Sequence, residues 1–263
     1  MSLELHITFL GTGTSHGIPM IGCDCAVCRS ADPRDRRYRT SVAIQLPPGE
    51  PTRGQVILID VSPEFRLSAI ANKLPRVDAI LLTHAHADHI MGMDDMRRYN
   101  EIGRKQIDCL GDEHTVAIAR RCFAHADRPY AADGWPSLNF QIVDASREVC
   151  GARVTPVPLI HGRQRILGFR IGGLAYCTDC SEIPEESFEL LKGLDLLILD
   201  GLRYRWHPTH FNVERALDAV RRIQPRRTLL THLAHEILHA KTSAELPAGV
   251  ELAYDGLRVV STM

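Results

Sequence analysis

Residues 83–89 are Thr83-His84-Ala85-His86-Ala87-Asp88-His89, and an apolar run at residues 77–82 precedes them. The length and β-branched content of that run predict a buried strand, so the histidines come at a strand end. In an extended chain, His84 and His86 project to the same face, about 6.5–7 Å apart, and can converge on one ion. Asp88 and His89 fall where a helix would begin and can serve a neighbouring position. Imidazole and carboxylate donors suit zinc, manganese or iron, so this segment predicts a metal site.

The composition is that of an ordinary globular protein. The chain has 263 residues, of which 44% are hydrophobic and 24% charged, and its net charge is -1. This length suits one sizeable core, and we expect a single domain over residues 1–263. The near-neutral charge argues against a general nucleic-acid or membrane-surface binder. No apolar run approaches 18 residues and the first residues lack a basic signal segment, so we expect a cytoplasmic protein with no membrane partner.

Three of the eight cysteines lie close together, at Cys23, Cys25 and Cys28. Disulfides are rare in the cytoplasm, and three thiols at this spacing favour binding of a metal as thiolates. A structural zinc ion needs four ligands, so a histidine from elsewhere would complete the set. The alternative is three unrelated free thiols. We interpret Cys177 and Cys180, at Cys-x-x-Cys spacing, as packing thiols.

Further metal-type side chains come at the ends of other predicted strands, at His161, Asp179 and His232. His210 precedes a helix predicted at residues 213–223, on a loop where binding groups tend to collect. A capping or solvated histidine is the alternative for His210. Repeated strand–loop–helix units with such residues at strand ends predict an α/β fold, with two sheets sandwiched between helices.

Three other segments have simpler interpretations. The glycines of residues 11–17 follow a strand, but a proline and cysteines come next in place of a helix, so we predict a tight turn and no phosphate-binding loop. Residues 29–39 are rich in arginine and predict a solvated surface segment. Residues 64–74 predict a helix with Phe65, Ala69 and Ile70 on one face.

Residues 83–89 resemble the Thr-His-x-His-x-Asp-His signature of the metallo-β-lactamase superfamily. Residues 10–13, Leu-Gly-Thr-Gly, resemble the N-terminal motif of its tRNase Z and phosphodiesterase branch. The resemblance implies an αββα four-layer sandwich of two mixed β-sheets flanked by helices. It implies that Asp60 holds the metal loop by hydrogen bonds without being a ligand. It also implies a dinuclear site, with a first metal on His84, His86 and His161, a second on Asp88, His89 and His232, and Asp179 bridging the two.

Cys23-x-Cys25-x-x-Cys28, taken with His232-x-x-His235, resembles the phosphoribosyl cyclic phosphate phosphodiesterases of the PhnP family. There the three cysteines and the last histidine hold a structural zinc ion, which here implies Cys23, Cys25, Cys28 and His235. His210 matches an additional catalytic histidine of that family, and with Asp88 it completes the implied catalytic residues.

The implied reaction is hydrolysis of a small cyclic phosphate, like phosphoribosyl 1,2-cyclic phosphate, by a hydroxide held between two divalent ions. Manganese or zinc would occupy that site, with iron as a further candidate. The implied partners are a small phosphodiester substrate, in preference to a nucleic acid, and a second copy in a homodimer. Four arginines are candidates to bind a terminal phosphate of the substrate: Arg163, Arg165, Arg203 and Arg205.

Three alternatives stay open at this point. A tRNase Z-type RNA phosphodiesterase would carry a basic, glycine-rich arm, and the sequence shows no such insertion. A thioester or lactone hydrolase is compatible with the scaffold, because an activated hydroxide also attacks carbonyl carbons. A biosynthetic protein like PqqB shares the Cys-x-Cys-x-x-Cys pattern and need not be a hydrolase.

Overall fold

The computed structural model describes residues 3–263 as two β-sheets that face each other, with helices on both outer faces. This arrangement confirms the predicted α/β class and the αββα four-layer sandwich. The strands are β1 (Glu4–Gly11), β2 (Ser41–Gln45), β3 (Val56–Ile59), β4 (Ala79–Leu81), β5 (Ile107–Gly111), β6 (Leu138–Ile142), β7 (Arg147–Val149), β8 (Ala152–His161), β9 (Gln164–Ile171), β10 (Leu174–Cys177), β11 (Leu196–Asp200), β12 (Arg227–Thr231), β13 (Val250–Leu252) and β14 (Arg258–Thr262). The helices are α1 (Phe65–Ala71), α2 (Ala87–Ile90), α3 (Met96–Gly103), α4 (Glu113–Cys122), α5 (Glu185–Leu190), α6 (Val213–Ile223) and α7 (His239–Glu245), with short 3₁₀ helices at Pro33–Asp35 and Met93–Asp95.

Each sheet has seven strands and is half antiparallel, half parallel. The first has the order β14-β1-β2-β3-β4-β5-β6, antiparallel from β14 to β3 and parallel from β3 to β6. The second has the order β13-β12-β11-β10-β9-β8-β7, parallel from β13 to β10 and antiparallel from β10 to β7. The parallel strands β4 and β11 are buried along their whole length, because helices cover the face that does not meet the other sheet.

Three apolar cores hold the four layers together. The central core lies between the two sheets and includes Ile57 and Phe169. A second core, with Phe65 of α1, packs helices against the first sheet, and a third, with Ala216 of α6, packs helices against the second. Each fully buried Leu, Ile or Phe side chain contributes about 1.5–3 kcal/mol. The two sheets are therefore fixed firmly enough to support a site that both of them build.

The parallel strands place the functional loops. Ile59 of β3 pairs with Leu81 of β4, and Cys177 of β10 pairs with Leu199 of β11. The carboxyl ends of neighbouring parallel strands lie side by side, so the loops that follow them gather at one edge of a sheet. The loops after β3 and β4 thus meet the loops after β10, β11 and β12 on a common rim.

The glycine-rich loop is a close-packed turn, as predicted. A Cβ atom on Gly11 would lie 2.0 Å from the carbonyl oxygen of Arg39, and one on Gly13 would lie 2.9 Å from Cβ of Arg37. Glycine is required there because two segments of backbone approach each other. Along the part of the chain that the structure describes, no helix is both long enough and apolar enough to cross a membrane.

Three features differ from the sequence-based expectations. Ile70 is 62% exposed, because the buried side of α1 consists of Phe65, Ser68 and Ala69. Residues 29–39 are not simply a solvated segment, since Arg37 is fully buried beside Asp35. Helix α7 is not predicted by the sequence, because its seven residues carry no apolar periodicity.

Candidate metal centre

Asp60, at the end of β3, fixes the loop that follows β4. Its Oδ1 accepts a hydrogen bond from the backbone N of Thr83 at 2.9 Å, and its Oδ2 accepts one from Thr83 Oγ1 at 2.8 Å. The same Oδ2 lies 2.7 Å from Nδ1 of His89. All three residues are completely buried. These contacts agree with the hydrogen-bonding role expected for Asp60, and they leave His89 Nε2 as the free ring nitrogen.

His84, His86 and His161 converge beside this loop. One ligand atom from each lies within 4.8 Å of the others, and His84 Nε2 is 2.9 Å from His86 Nδ1. His161 comes from β8 in the second sheet, and its Nδ1 lies 2.8 Å from the carbonyl oxygen of Thr209. A carbonyl can only accept, so Nδ1 carries the proton and Nε2 is left to face the other two histidines.

Asp88, His89, Asp179 and His232 form a second group within the same 4.8 Å limit. Asp179 Oδ2 lies 3.3 Å from His89 Nε2 and 3.2 Å from His232 Nε2. It is also 3.8 Å from His84 Nε2, so this carboxylate faces both groups. Asp60, Asp179 and His232 have φ angles of 61°, 56° and 59°, a strained conformation for non-glycine residues that often marks functional sites.

These seven residues, the histidine–aspartate cluster, fit divalent ions. Among residues 3–263, the buried Nε2 atoms of His89 and His232 have no hydrogen-bond partner, and an orphaned buried donor or acceptor is costly unless something binds it. Burial lowers the pKa of His84 well below its usual value, which favours the neutral ring that a metal requires. Against the effect of burial, the carboxylates around His89 raise its pKa well above the usual value. The negative charge of these carboxylates, which stabilises a proton on His89, would equally stabilise a metal cation beside its ring.

The cysteines and His235 form a separate cluster. His235 Nδ1 lies 3.2 Å from Cys23 Sγ, 3.6 Å from Cys25 Sγ and 3.9 Å from Cys28 Sγ. The backbone N–H of Cys28 donates to Cys25 Sγ at 3.4 Å and lowers the pKa of that thiol to about 6. A thiolate is therefore available at neutral pH, and three cysteines with one histidine fit a tetrahedral structural zinc ion. We call these four residues the cysteine cluster.

Cys177 and Cys180 are packing thiols, as expected. Both are completely buried and belong to the apolar core between the second sheet and its helices. Burial raises the pKa of the Cys177 thiol to about 12, so the thiol stays protonated.

His210 adjoins the histidine–aspartate cluster and is neither solvated nor a cap. It is 9% exposed, and Asn212 caps α6 in its place by accepting from the backbone N of Arg215. The ring of His210 stacks on that of His232, with centroids 4.8 Å apart. One of its nitrogens lies within 4.8 Å of ligand atoms of His161 and Asp179.

Asp200, the partner of His210, is a site residue that the sequence did not reveal. Its Oδ2 lies 2.8 Å from His210 Nδ1, and the carboxylate is completely buried at the end of β11. The available signal was the pattern shared with Asp60 and Asp179, an aspartate that closes or follows an apolar strand.

A cavity of about 200 Å³ opens beside His210. Its wall carries many cationic or titratable side chains: His16, Arg203, Arg205, His207, His210, His235 and Glu236. Of the four candidate arginines, Arg203 and Arg205 line this cavity, whereas Arg163 and Arg165 do not. Arg165 pairs with Glu186 instead. A larger cavity of about 650 Å³ lies along β1, β2 and β14, but none of the cluster residues lines it.

Comparison with known proteins agrees with this geometry. A family model described as the beta-lactamase superfamily domain matches residues 55–233. An octanoyltransferase of Porphyromonas gingivalis is 38% identical over 255 residues, which cover 95% of this chain and 50% of that protein. The chain thus spans about half the length of that relative.

Two crystal structures are similar over nearly the whole chain. A diphosphatase from the PhnP family superposes with a TM-score of 0.89 at 40% identity, covering 97% of both chains. Zinc-bound PqqB from Methylobacterium extorquens superposes with a TM-score of 0.74 at 20% identity, covering 97% of this chain and 99% of that one. The second likeness concerns the fold alone. From the family match and the first structure, the chain belongs to the beta-lactamase superfamily and, within it, to the PhnP family.

Proposed function

We propose that this chain is a dinuclear metal-dependent phosphodiesterase that hydrolyses a small cyclic phosphate resembling phosphoribosyl 1,2-cyclic phosphate. Family and fold support a metal-dependent hydrolase. The single observation that supports the finer proposal most is the position of Asp179. Its carboxylate faces His84 of one group and both His89 and His232 of the other, which is what two neighbouring ions with a shared ligand require.

In this proposal the histidine–aspartate cluster holds two divalent ions, manganese or zinc, with iron as a further candidate. His84, His86 and His161 would bind the first ion, and Asp88, His89 and His232 the second. Asp179 would contact both. Bound in this way, divalent ions polarise phosphoryl oxygens and lower the pKa of water. The cysteine cluster would hold one structural zinc ion.

His210 would act on the leaving group. With Nδ1 directed at Asp200, Nε2 is the atom that can donate a proton to the leaving oxygen or a hydrogen bond to the phosphoryl oxygens. Asp200 would hold the ring in that orientation. His210 packs against His161 and His232, so the proton would be delivered beside the histidine–aspartate cluster.

The neighbouring cavity supports a small anionic substrate. A volume of about 200 Å³ suits a sugar phosphate, and Arg203 and Arg205 on its wall can bind a terminal phosphate. Arg205 pairs with Glu236, so an incoming phosphate would compete with that carboxylate. Hydrolysis of a small diphosphate is the second candidate function, because the 40% identical structure is described as a diphosphatase.

The test is turnover by metal-reconstituted protein on phosphoribosyl 1,2-cyclic phosphate, 2′,3′-cyclic nucleotides, a small diphosphate, a precursor tRNA, and glutathione and octanoyl thioesters. We expect strong preference for a cyclic phosphate. Preference for the diphosphate would select the second candidate. Activity on tRNA or a thioester alone would overturn both, and inactivity of fully metallated protein on every compound would favour a PqqB-like role.

A matched pair of variants tests the cavity. Arg203→Met should raise KM for a substrate with a terminal phosphate and leave KM for one without it nearly unchanged. Arg165→Met is the control, because Arg165 pairs with Glu186 away from the cavity. Equal effects of the two substitutions would exclude Arg203 as a phosphate ligand.

A further inference from the structure

Asp35 and Arg37 form a buried ion pair in a segment whose other charged residues are exposed or partly exposed. Arg37 Nη2 lies 3.1 Å from Asp35 Oδ1 and both residues are 1% exposed, whereas Arg34 and Arg36 are exposed. Taking two charges out of water costs free energy that their attraction offsets only in part. The pair is therefore weak support for stability in itself, and its other contacts are the better guide to what it does.

Asp35 links the two loops that carry the cysteine cluster. Its Oδ2 accepts a hydrogen bond from Ser30 Oγ at 2.7 Å, and Ser30 lies two residues after Cys28. Its Oδ1 accepts a hydrogen bond at 2.8 Å from the backbone N of His239, the first residue of α7. One carboxylate thus ties the end of the cysteine loop to the segment that follows His235.

Arg37 binds that second loop on both sides of His235. Its Nη1 donates to the carbonyl oxygen of Ala234 at 3.4 Å, and its Nη2 donates to that of Ile237 at 2.8 Å. A planar guanidinium can hold two acceptors at a fixed separation, which an ammonium cannot do. The backbone of Arg37 also exchanges hydrogen bonds with Ile18, at 2.8 and 2.9 Å, on the approach to the cysteine loop.

We propose that Asp35 and Arg37 are positioning residues that hold His235 against the three cysteines before a metal ion binds. The inference rests on the proposed assignment of the cysteine cluster as a zinc site. Ordering both loops in advance removes that entropic cost from metal binding. Residues that orient metal ligands typically contribute about 10–100-fold to metal affinity, so the pair sets the affinity of this site.

The test measures metal affinity of the full-length protein, with no use of turnover. Zinc affinity is read by competition with a chromophoric chelator. Cobalt substitution gives a thiolate-to-cobalt absorption band that reports on the cysteine cluster alone, since the other cluster has no thiolates. Arg37→Lys keeps the charge beside Asp35 but loses the planar guanidinium that binds the carbonyl oxygens of Ala234 and Ile237. We therefore expect metal affinity to fall about 10–100-fold and the cobalt absorption band to change. Arg36→Lys, the same change at an exposed neighbour, should alter neither.

Ser30→Ala is the second variant, because it removes one hydrogen bond to Asp35 and leaves the buried pair in place. It should also lower the metal affinity of the cysteine cluster. If Arg37→Lys does not fold, this variant alone tests the proposal. Unchanged affinity and spectrum in the folded variants would overturn the proposal. Wild-type protein that binds no metal at its cysteines would overturn the zinc assignment and the proposal together. Failure of the phosphodiesterase proposal would leave this test unaffected.

Discussion

His210 and Asp200 form a buried pair in which ring Nδ1 and carboxylate Oδ2 are 2.8 Å apart. Asp200 closes β11, and His210 lies on the loop that leads from this strand to α6. The strand therefore fixes the carboxylate, and the carboxylate fixes the ring. The imidazole is held against His161 and His232 by a partner that is not among the proposed metal ligands.

We expect His210→Ala to lower turnover by about 10²–10⁴-fold, the usual contribution of general acid–base catalysis, with metal content unchanged. Asp200→Asn should lower turnover less, since it disturbs only the orientation of the ring. When Asp200→Asn is combined with His210→Ala, turnover should be no lower than with His210→Ala alone, because the effects of residues that act as a unit are not additive. Kinetics and metal analysis of the three proteins provide the measurement. Loss of metal from His210→Ala would identify His210 as a ligand instead.

Asp179→Ala should abolish turnover and lower the metal bound at the histidine–aspartate cluster. The substitution removes the carboxylate that lies 3.3 Å from His89 Nε2 and 3.2 Å from His232 Nε2. Metal analysis and far-UV circular dichroism would show lost metal with secondary structure retained. Asp218→Ala, at an exposed position paired with Arg221, is the control. Wild-type activity in the Asp179 variant would exclude a shared ligand.

Cys25→Ser should release one zinc ion per chain and lower the melting temperature. Metal binding to a structural site contributes directly to the free energy of folding, so losing a thiolate ligand weakens both. Cys122→Ser is the matched control, since Cys122 is exposed and lies outside the cluster. Equal melting temperatures for the two variants would argue against a structural ion.

Asp255 should make a contribution to stability that is lost as pH rises from about 4 to about 7. Burial raises the pKa of this carboxyl to about 7 from its ordinary value of 3.8. Between those values the folded state binds a proton that the unfolded chain has lost, so raising the pH favours unfolding. Asp255→Asn should remove this part of the pH dependence. Chemical denaturation of both proteins across that range measures it, and identical slopes would refute it.

The sequence was informative wherever chemistry and periodicity coincide. Buried strands are apolar runs, and polar side chains at their ends stand out, which is why His84, Asp179 and His232 could be located from the order of residues alone. The four-layer arrangement follows from the same pattern, because strands without a polar face must be covered on both sides.

What the sequence could not supply depends on contacts between distant segments. Arg37 looked like one more surface arginine, yet its hydrogen-bond partner Ile237 is 200 positions away. Asp200 showed the same local signal as Asp60, but its role depends on which histidine the next loop brings to it. Whether Ile70 or its neighbours face the core depends on the rotation of α1 about its axis. A helix of seven residues has too few apolar positions to define that rotation from sequence.

Both sheets contribute residues to the histidine–aspartate cluster, and this has a consequence for how the protein folds. The first sheet supplies Asp88 and His89, while the second supplies His161, Asp179 and His232. Neither half of the chain holds all seven residues, so under the proposed function tight metal uptake would wait until the two sheets have docked. Pairing of distant segments is the slow part of folding in such topologies. Under that proposal metal retention would serve as a marker of complete folding, because a chain with only one sheet formed would fail to keep its ions.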